Sequence, residues 1–321
     1  MSLDFEDQIV ELENRIEELI KLNAAPDVQF DTEIAELKKK VQQLIKETYG
    51  NLSPWQVVHV ARHQDRPHFE DYIEGMSSEF IELHGDRCYG DDRAMICGFA
   101  TIDGQKVMLI GMSKGRTTNE KIANNFGMAN PEGYRKALRL MRLAERYNIP
   151  IVCLIDTPAA YPGKEAEERG QAEAIARNLT EMASIETPII VVITGEGGSG
   201  GALGIAVGDI VMMLSFAIYS VIPPEGCAAI LWRDSEKAPD AAKALKITAK
   251  ELLELGVIDE IINEPPGGAH RNKETTILAV KEAILRHLKT LEHVGRKKLV
   301  NKRFEKFVKL GKFDDRKYSS H

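Results

Sequence analysis

The most informative stretch of the sequence is Pro188-Ile-Ile-Val-Val-Ile-Thr194, which runs directly into Gly195-Glu-Gly-Gly-Ser-Gly-Gly-Ala-Leu203. The first part is a short, continuous apolar run of the kind that forms a strand buried on both faces. The glycine run exposes backbone N–H groups between this strand and a short apolar helix, where they can hold an anion or a developing oxyanion. A strand, a tight loop and a helix in this order predict an α/β fold with a functional site at the loop.

The glycine run also matches two nucleotide-binding patterns in part. Gly195, Gly197 and Gly200 fit G-x-G-x-x-G, but a dinucleotide-binding unit requires a longer helix than one interrupted at Gly208-Asp209. A P-loop requires a lysine at the position of Gly201. Neither pattern is complete, and a glycine turn needed only for close packing remains an alternative to an anion site.

Strands and helices alternate on both sides of this stretch, which favours helices packed on the faces of one sheet. Residues 95–102 and 107–111 predict a hairpin around Asp103-Gly104. The rest of this core is predicted as helices at Pro131–Tyr147 and Glu165–Ser184, and strands at Ile149–Ile155, Ile210–Leu214 and Ile218–Ile222.

The two ends of the chain differ from this core. Apolar residues recur at helical spacing from Ile9 to Leu19 and from Ile34 to Leu44, with Ala24-Ala25-Pro26 between them. We expect an N-terminal helical arm lying on a larger body, or a solvated hairpin with no partner. After Ala238 the pattern is helical, and roughly the last twenty residues, rich in Lys and Arg, predict a loosely held tail. The predicted division is an arm at 1–50, a core at 51–265 and a C-terminal helix and tail at 266–321.

A second candidate motif, Asp156-Thr-Pro-Ala-Ala-Tyr-Pro-Gly163, follows the predicted strand Ile149–Ile155. Loops at the carboxyl ends of parallel strands are the usual place for ligands in α/β folds. Asp156 can accept hydrogen bonds that fix the loop, and two prolines stiffen it. The segment predicts either a ligand-facing loop, with Asp156 and Tyr161 as candidate substrate-binding residues, or a rigid turn without a ligand.

Cationic residues cluster near the start of the helix predicted at 131–147. Lys114-Gly-Arg116 and Lys121 precede it, and Arg135-Lys136 and Arg139 lie within it. Lysine binds phosphates as a point charge and arginine as a bidentate fork, so Lys114 and Arg116 are candidate substrate-binding residues. The same residues are equally typical of a solvated helix face. We find no convincing Ser-His-Asp or Cys-His order and assign no metal ligands.

Composition excludes several classes of protein. The chain is 43% hydrophobic and 28% charged, which suits a folded core, and its net charge of −7 argues against general nucleic-acid binding. No apolar run approaches the roughly 20 residues of a membrane-spanning helix, and the acidic N-terminus is unlike a signal peptide. Four separated cysteines without a C-x-x-C pair indicate reduced thiols, so we expect a cytoplasmic protein.

Several longer motifs, taken together, resemble one family. Besides the glycine run and the Asp156 segment, they are Asn125-Phe-Gly-Met128, Pro131-Glu-Gly-Tyr-Arg-Lys-Ala-Leu-Arg-Leu-Met141, Glu167-Glu-Arg-Gly-Gln171, Tyr219-Ser-Val-Ile-Pro-Pro-Glu-Gly226 and Pro266-Gly-Gly-Ala-His-Arg-Asn272. Their order and spacing resemble the alpha subunits of bacterial acetyl-CoA carboxylase carboxyltransferases over nearly the whole chain, weakening only in the basic tail. Two positions depart from the family pattern, because Ala159 replaces a usual glycine and Pro223 a usual serine.

The resemblance implies a fold, substrates and partners. The implied fold is crotonase-like, a spiral of ββα units with an N-terminal helical arm and a C-terminal helical region. The implied reaction moves a carboxyl group from carboxybiotin to acetyl-CoA, giving malonyl-CoA for fatty acid synthesis. The implied partners are a beta subunit with a zinc ribbon in an α2β2 assembly, the biotin carboxyl carrier protein and a biotin carboxylase. No cofactor is expected to stay bound to this chain.

The resemblance also implies roles within the glycine run. The N–H groups of Gly200 and Gly201 would form an oxyanion hole for the ureido oxygen of biotin, with Gly197, Gly198 and Ser199 beside the substrate. The beta subunit would supply the hole for the enolate of acetyl-CoA and most of the CoA site.

Two other functions remain open from the sequence. A self-contained acyl-CoA hydratase or isomerase of the crotonase type would need a carboxylate acid–base, and Glu196 and Glu225 are the nearby candidates. A catalytically silent assembly scaffold would need no such group.

Overall fold

The computed structural model describes residues 3–23 and 30–311. Its strands are β1 (Glu79–Glu82), β2 (Met95–Ile102), β3 (Gln105–Met112), β4 (Ile151–Thr157), β5 (Ile189–Gly198), β6 (Ile210–Leu214), β7 (Ile218–Ser220) and β8 (Glu260–Ile262). Its α-helices are α1 (Asp7–Leu22), α2 (Asp31–Gly50), α3 (Pro54–Ala61), α4 (Phe69–Met76), α5 (Thr118–Ala123), α6 (Pro131–Arg146), α7 (Lys164–Glu168), α8 (Gln171–Ser184), α9 (Ser199–Leu203), α10 (Pro224–Trp232), α11 (Ala238–Leu245), α12 (Ala249–Glu254), α13 (Lys273–Leu291) and α14 (Arg296–Val308).

The strands form one mixed sheet in the order β1-β2-β3-β4-β5-β6-β8. The first three strands pair antiparallel and the others parallel. β5 pairs with β4 on one edge and with two strands on the other. Residues 190–193 pair with β6, while residues 196–198 turn away to pair with β7. The sheet therefore curls at the end of β5, where the glycine run begins.

The core agrees with the predicted α/β arrangement. Residues 151–155 of β4 and 189–193 of β5 are buried, as continuous apolar runs predict. α6 packs on β2 and β3 of the same sheet. Its inward stripe at helical spacing includes Tyr134, Ala137 and Met141. The predicted hairpin, the short apolar helix after the glycine run and the helix from Pro131 are confirmed.

Several predicted boundaries are wrong for local reasons. The helix predicted at 165–184 is two helices, because Gly170 adopts a φ of +86° between α7 and α8. The strand predicted to end at Thr194 continues through the glycines to Gly198, since β7 supplies a partner there. α10, which was not predicted, begins at Pro224, because proline suits a first helical turn. The strand predicted at 218–222 ends at Ser220, and β8 interrupts the region expected to be helical after Ala238.

The N-terminal arm rests on its own chain. α1 and α2 pack side by side, and Tyr49 at the end of α2 contacts the ring of Phe216 in the core. The Tyr49 hydroxyl donates to Glu6, which also accepts two hydrogen bonds from Arg271. The expectation of an arm lying on a larger body fits this docking better than a solvated hairpin. Ala24-Ala25-Pro26 lies outside the described residues, and the division at 50 and 265 stays a prediction.

The predicted loose tail is wrong for the residues up to 308. α14 spans Arg296–Val308, and the side chain of Arg303 is completely buried against Asp209 and the backbone after α8. Arg303 has a structural role that the lysine- and arginine-rich composition of this segment did not indicate. The predicted tail residues from 312 onwards lie outside the described part of the chain.

Candidate functional site at the glycine run

The glycine run packs directly on the loop that follows β4. A Cβ atom at Gly198 would lie 1.9 Å from the carbonyl oxygen of Pro158, and one at Gly201 would lie 2.3 Å from the carbonyl carbon of Ala159. Ser199, between these glycines, has a φ of +52°, a conformation that costs energy for a side-chain-bearing residue. Close packing therefore explains the need for glycine at positions 198 and 201.

Packing does not explain Gly200 in the same way. A Cβ atom there would meet nothing closer than the Cδ1 atom of Ile175, at an ordinary 3.6 Å. The first N–H groups of a helix have no partner within it, and Gly200 and Gly201 lie in the first turn of α9. The loop therefore packs tightly at Gly198 and Gly201, and the role of the Gly200 and Gly201 N–H groups as donors to an oxyanion stays a prediction.

Two buried side chains that the sequence analysis did not select support α9 from below. The hydroxyl of Tyr134 donates to the carbonyl oxygen of Gly201 at 3.2 Å, and its ring occupies the space that a side chain at Gly204 would need. The amide of Asn178 donates to the carbonyl oxygens of Tyr134 and Gly204. The burial of Tyr134 was predictable from its place on the inward stripe of α6, but its contact with Gly201 was not. Nothing in the sequence distinguished Asn178 from the other polar residues of α8.

Asp156 was predicted to accept hydrogen bonds that fix its own loop, but in the structure it fixes the start of the glycine run. Its role in substrate binding stays a prediction. Its Oδ1 atom accepts a hydrogen bond from the backbone N–H of Glu196 at 2.8 Å and lies 2.7 Å from Nζ of Lys114. A Cβ atom at Gly195 would lie only 2.4 Å from the same oxygen. The carboxylate thus holds the ends of β4 and β5 together.

The side chain of Glu196 lies between two cations. Its Oε1 atom accepts from Nε of Arg62 at 2.7 Å, and its Oε2 atom accepts from Nζ of Lys114 at 2.8 Å. Burial alone would raise the pKa of Glu196, but Lys114 and Arg62 lower it to about 2. Glu196 is therefore ionised at neutral pH, and each of its carboxylate oxygens accepts a hydrogen bond from a cation.

Glu225 in the first turn of α10 extends this network. It accepts a hydrogen bond from Nη1 of Arg62 at 2.5 Å. Burial tends to raise its pKa, but the hydrogen bonds and charge of Arg62 lower it overall. Arg62 and Lys114 occupy both oxygens of Glu196, and Arg62 also binds Glu225, which disfavours either carboxylate as the general acid of a self-contained hydratase. Arg62, which ends α3, was missed because nothing in its local sequence marks it.

The other predicted cations do not gather at one place. Arg116 is about half exposed and pairs with Asp71, while Lys114 is bound by Asp156 and Glu196. The cations of α6 bind the loop before β2 instead, through three contacts: Arg135 with Asp86, Lys136 with Asp91, and Arg139 with the carbonyl oxygen of Gly85. Substrate binding by Lys114 and Arg116 stays a prediction.

Tyr161 lies in the loop after β4, where its backbone carbonyl accepts a hydrogen bond from Gln171. Its ring lies against Gly163, where a Cβ atom would come within 2.3 Å of Cε1. This contact fixes the ring within its own loop. A role of Tyr161 in substrate binding stays a prediction.

An apolar cleft opens beside α9. It has a volume of about 350 Å³ and includes Ser199, Leu203, Tyr219 and Val221 in its lining, together with Phe307 of α14. Further apolar side chains are exposed at Ile230 and Leu231 of α10. An apolar cleft with exposed apolar side chains in its lining is typical of a binding interface.

Proteins of one family are similar to this sequence over nearly its whole length. A family model described as acetyl co-enzyme A carboxylase carboxyltransferase-like matches residues 2–311. The alpha subunit of acetyl-coenzyme A carboxylase carboxyl transferase from Geobacter metallireducens is 58% identical over 311 residues, which cover 97% of this chain and 98% of that protein. The chain belongs to the acetyl-CoA carboxylase carboxyltransferase alpha family. The alpha subunit from Methylococcus capsulatus, 53% identical over 98% of both chains, is a second such relative.

Solved structures share the fold at low sequence identity. Transcarboxylase 12S superposes with a TM-score of 0.55 at 20% identity, over 70% of this chain and 44% of its own. The beta subunit of Pseudomonas aeruginosa geranyl-CoA carboxylase gives a TM-score of 0.55 at 15% identity, over 82% of this chain and 47% of its own. This chain spans less than half the length of either. A Pseudomonas malonate decarboxylase hetero-tetramer chain matches with a TM-score of 0.55 at 16% identity, over 67% of this chain and 86% of its own.

These comparisons confirm the predicted family, the crotonase-like α/β fold and the enzyme class, a carboxyltransferase. Within residues 3–23 and 30–311, no helix has the length and apolarity needed to cross a membrane. The same part of the chain holds no group of three or more His, Cys, Asp or Glu side chains placed to bind a metal ion.

Proposed function

We propose that this chain is the alpha half of a carboxyltransferase that moves a carboxyl group from carboxybiotin, carried by a biotin carboxyl carrier protein, to acetyl-CoA. The product is malonyl-CoA. A biotin carboxylase loads the carrier, and carboxybiotin is a visiting substrate rather than a resident cofactor. The reduced thiols support a cytoplasmic location, since Cys97, Cys153 and Cys227 are buried without disulfide partners.

The observation that carries the proposal is the first turn of α9. The backbone of Gly201 packs on the loop after β4 and its carbonyl oxygen accepts a hydrogen bond from Tyr134, while Gly200 precedes it in the same helical turn. The N–H groups of these two glycines stabilise the ureido oxygen of biotin when the carboxyl group leaves, because they need no reorganisation and do not titrate. Gly197, Gly198 and Ser199 complete the wall beside the substrate.

The ion pairs at the glycine run also support an active centre that is shared with a beta subunit. Glu196 and Glu225 are paired with cations, so we assign neither carboxylate an acid–base role at the glycine run. A mechanism in which the decarboxylated biotin nitrogen takes the proton of acetyl-CoA requires no acid–base side chain. The hole for the acetyl-CoA enolate, and most of the CoA site, then belongs to the beta subunit.

The apolar surface next to α9 suits that partner. Val221 lines the cleft and is 73% exposed, and Ile230 and Leu231 of α10 are 71% and 65% exposed. Exposed apolar side chains of this kind are typical of a surface that a partner covers. We propose that the beta subunit, with its zinc ribbon, covers this surface in an α2β2 assembly and closes the site above the glycine run.

The test is a three-arm assay of malonyl-CoA-dependent carboxylation of free biotin. The arms contain this chain alone, a purified carboxyltransferase beta subunit alone, and the two together. Activity in the mixture only supports a shared-site carboxyltransferase. Turnover of an acyl-CoA by this chain alone would favour the self-contained hydratase or isomerase. A complex without transfer activity would favour the scaffold.

A further inference from the structure

The side chain of Glu196 lies at the centre of an ion-pair network that joins five structural elements. It lies in β5 between Gly195 and Gly197, with its side chain only 9% exposed. Lys114 reaches it from just beyond the end of β3, and Arg62 reaches it from the end of α3. Through these two cations the carboxylate is joined to Asp156 of β4 and to Glu225 of α10.

The backbone of Glu196 is fixed as well. Its N–H donates to Asp156, and the residue is paired with Ile218 of β7 where β5 turns away from the main sheet. The next two residues continue this short ladder, and the first turn of α9 follows at once. No loop separates Glu196 from Gly200, so the orientation of Glu196 sets where the N–H groups of α9 point.

We propose that Glu196 is a positioning residue for carboxyl transfer, whose ion pairs with Lys114 and Arg62 aim the N–H groups of Gly200 and Gly201. This inference rests on the proposed function. Glu196 does not react itself, since both of its carboxylate oxygens are engaged by Arg62 and Lys114. It acts through the backbone that it anchors.

The change Glu196→Gln isolates this role because it keeps volume and shape. The amide retains one acceptor oxygen and turns an NH2 group toward the second cation, which weakens one ion pair and breaks the other. A misplacement of about 1 Å can cost about 100-fold in rate. We expect kcat for biotin carboxylation to fall at least about 10-fold while KM for malonyl-CoA stays within about twofold, as for a lost transition-state interaction.

Glu132→Gln is the matched control. Glu132 lies in the first turn of α6, its side chain is 6% exposed, and it also lies between two cations, Arg169 and Arg135. The substitution Glu132→Gln weakens a similarly buried ion-pair site, but this site does not anchor β5. We expect this variant to lower the thermal midpoint of the chain while leaving kcat within about twofold of wild type.

Both variants are assayed as complexes with the beta subunit, with assembly measured by size-exclusion chromatography. An assembled Glu196→Gln complex with unchanged kcat would overturn the inference, and so would an equal loss of kcat in Glu132→Gln. If Glu196→Gln does not assemble, Arg62→Lys decides, because it keeps the charge but loses the planar fork. We expect it to lower kcat in the same direction by a smaller factor, and unchanged kcat there would also overturn the inference. Absence of transfer in the wild-type complex would instead contradict the proposed function.

Discussion

The backbone of Gly201 lies so close to Ala159 that a single added methyl group would sit 2.3 Å from the Ala159 carbonyl carbon. This contact joins the glycine run to the loop after β4. Ala159 stands where the family usually has glycine, and the contact uses its backbone rather than its side chain. The departure at this position therefore leaves the joint between the two loops intact.

We predict that alanine destabilises the chain much more at Gly201 than at the adjacent Gly200. Gly201→Ala should destabilise the chain by about 1–3 kcal/mol, because the backbone atoms of Ala159 and Ala160 cannot yield to the new methyl group. Gly200→Ala should change stability by less than about 1 kcal/mol, since its methyl group meets only Ile175 at ordinary contact distance. Urea unfolding of the two variants checks this. Equal destabilisation would show that the packing of the loop differs from this structure.

The exposed apolar surface predicts a specific loss of assembly. Leu231→Asp should weaken the complex with the beta subunit at least about 10-fold, because it places a charge in the proposed interface. Leu278→Asp is the control, since Leu278 is similarly exposed, at 51%, but lies on α13. Dissociation constants measured by interferometry should separate the two. Equal effects, or none at Leu231, would place the partner elsewhere.

α14 gives a stability prediction that the sequence alone would not suggest. Arg303 bonds to both carboxylate oxygens of Asp209 and to the carbonyl oxygens of Met182, Ile185 and Thr187. Arg303→Met should cost about 3–5 kcal/mol, because it leaves Asp209 buried without its partner.

Lys302→Met is the control for Arg303, since Lys302 is exposed on the same helix and should change stability by less than about 0.5 kcal/mol. Chemical denaturation followed by circular dichroism measures both variants. Similar stabilities for the two would contradict the docking of α14.

His270 predicts how stability depends on pH. Burial and the positive charges of His63, Arg66 and Arg271 lower the pKa of His270 to about 3, from 6.5 in an unfolded chain. The unfolded chain therefore binds this proton first, and the stability linked to neutral His270 is present above pH 6.5 and is lost as pH falls toward 3. His270→Leu should flatten the dependence of the unfolding free energy on pH between 4 and 6.5. An unchanged slope would contradict this assignment.

The parts of the site predicted from sequence are those encoded locally. The strand before the glycine run and the hydrogen bonding of Asp156 follow from an apolar run and from a carboxylate at a strand end. Arg62 and Tyr134 were missed because their importance arises from contacts with residues far along the chain, Glu196 and Gly201. Glu196 was considered only as an acid–base, since sequence does not show that two distant cations hold it ionised.

The ends of the chain illustrate the same limit. The apolar spacing of α1 and α2 predicted both helices, but their docking depends on Tyr49, Glu6 and Arg271, which lie far apart in sequence. Composition suggested a tail where α14 is anchored by Arg303. A lysine- and arginine-rich helix looks solvated until a buried carboxylate such as Asp209 is placed opposite one of its arginines.

The central claim is that the backbone N–H groups of Gly200 and Gly201 act on the biotin oxyanion. Replacing a glycine by glycolic acid exchanges its N–H for an ester oxygen and adds no side chain. The decisive measurement is kcat for malonyl-CoA-dependent biotin carboxylation with esters at 200, at 201 and, as control, at Gly204, whose N–H bonds to Gly200 within the same turn. We predict a loss of about 100- to 1,000-fold at 200 or 201 and less than about tenfold at 204. Full activity with esters at both 200 and 201 would contradict the account.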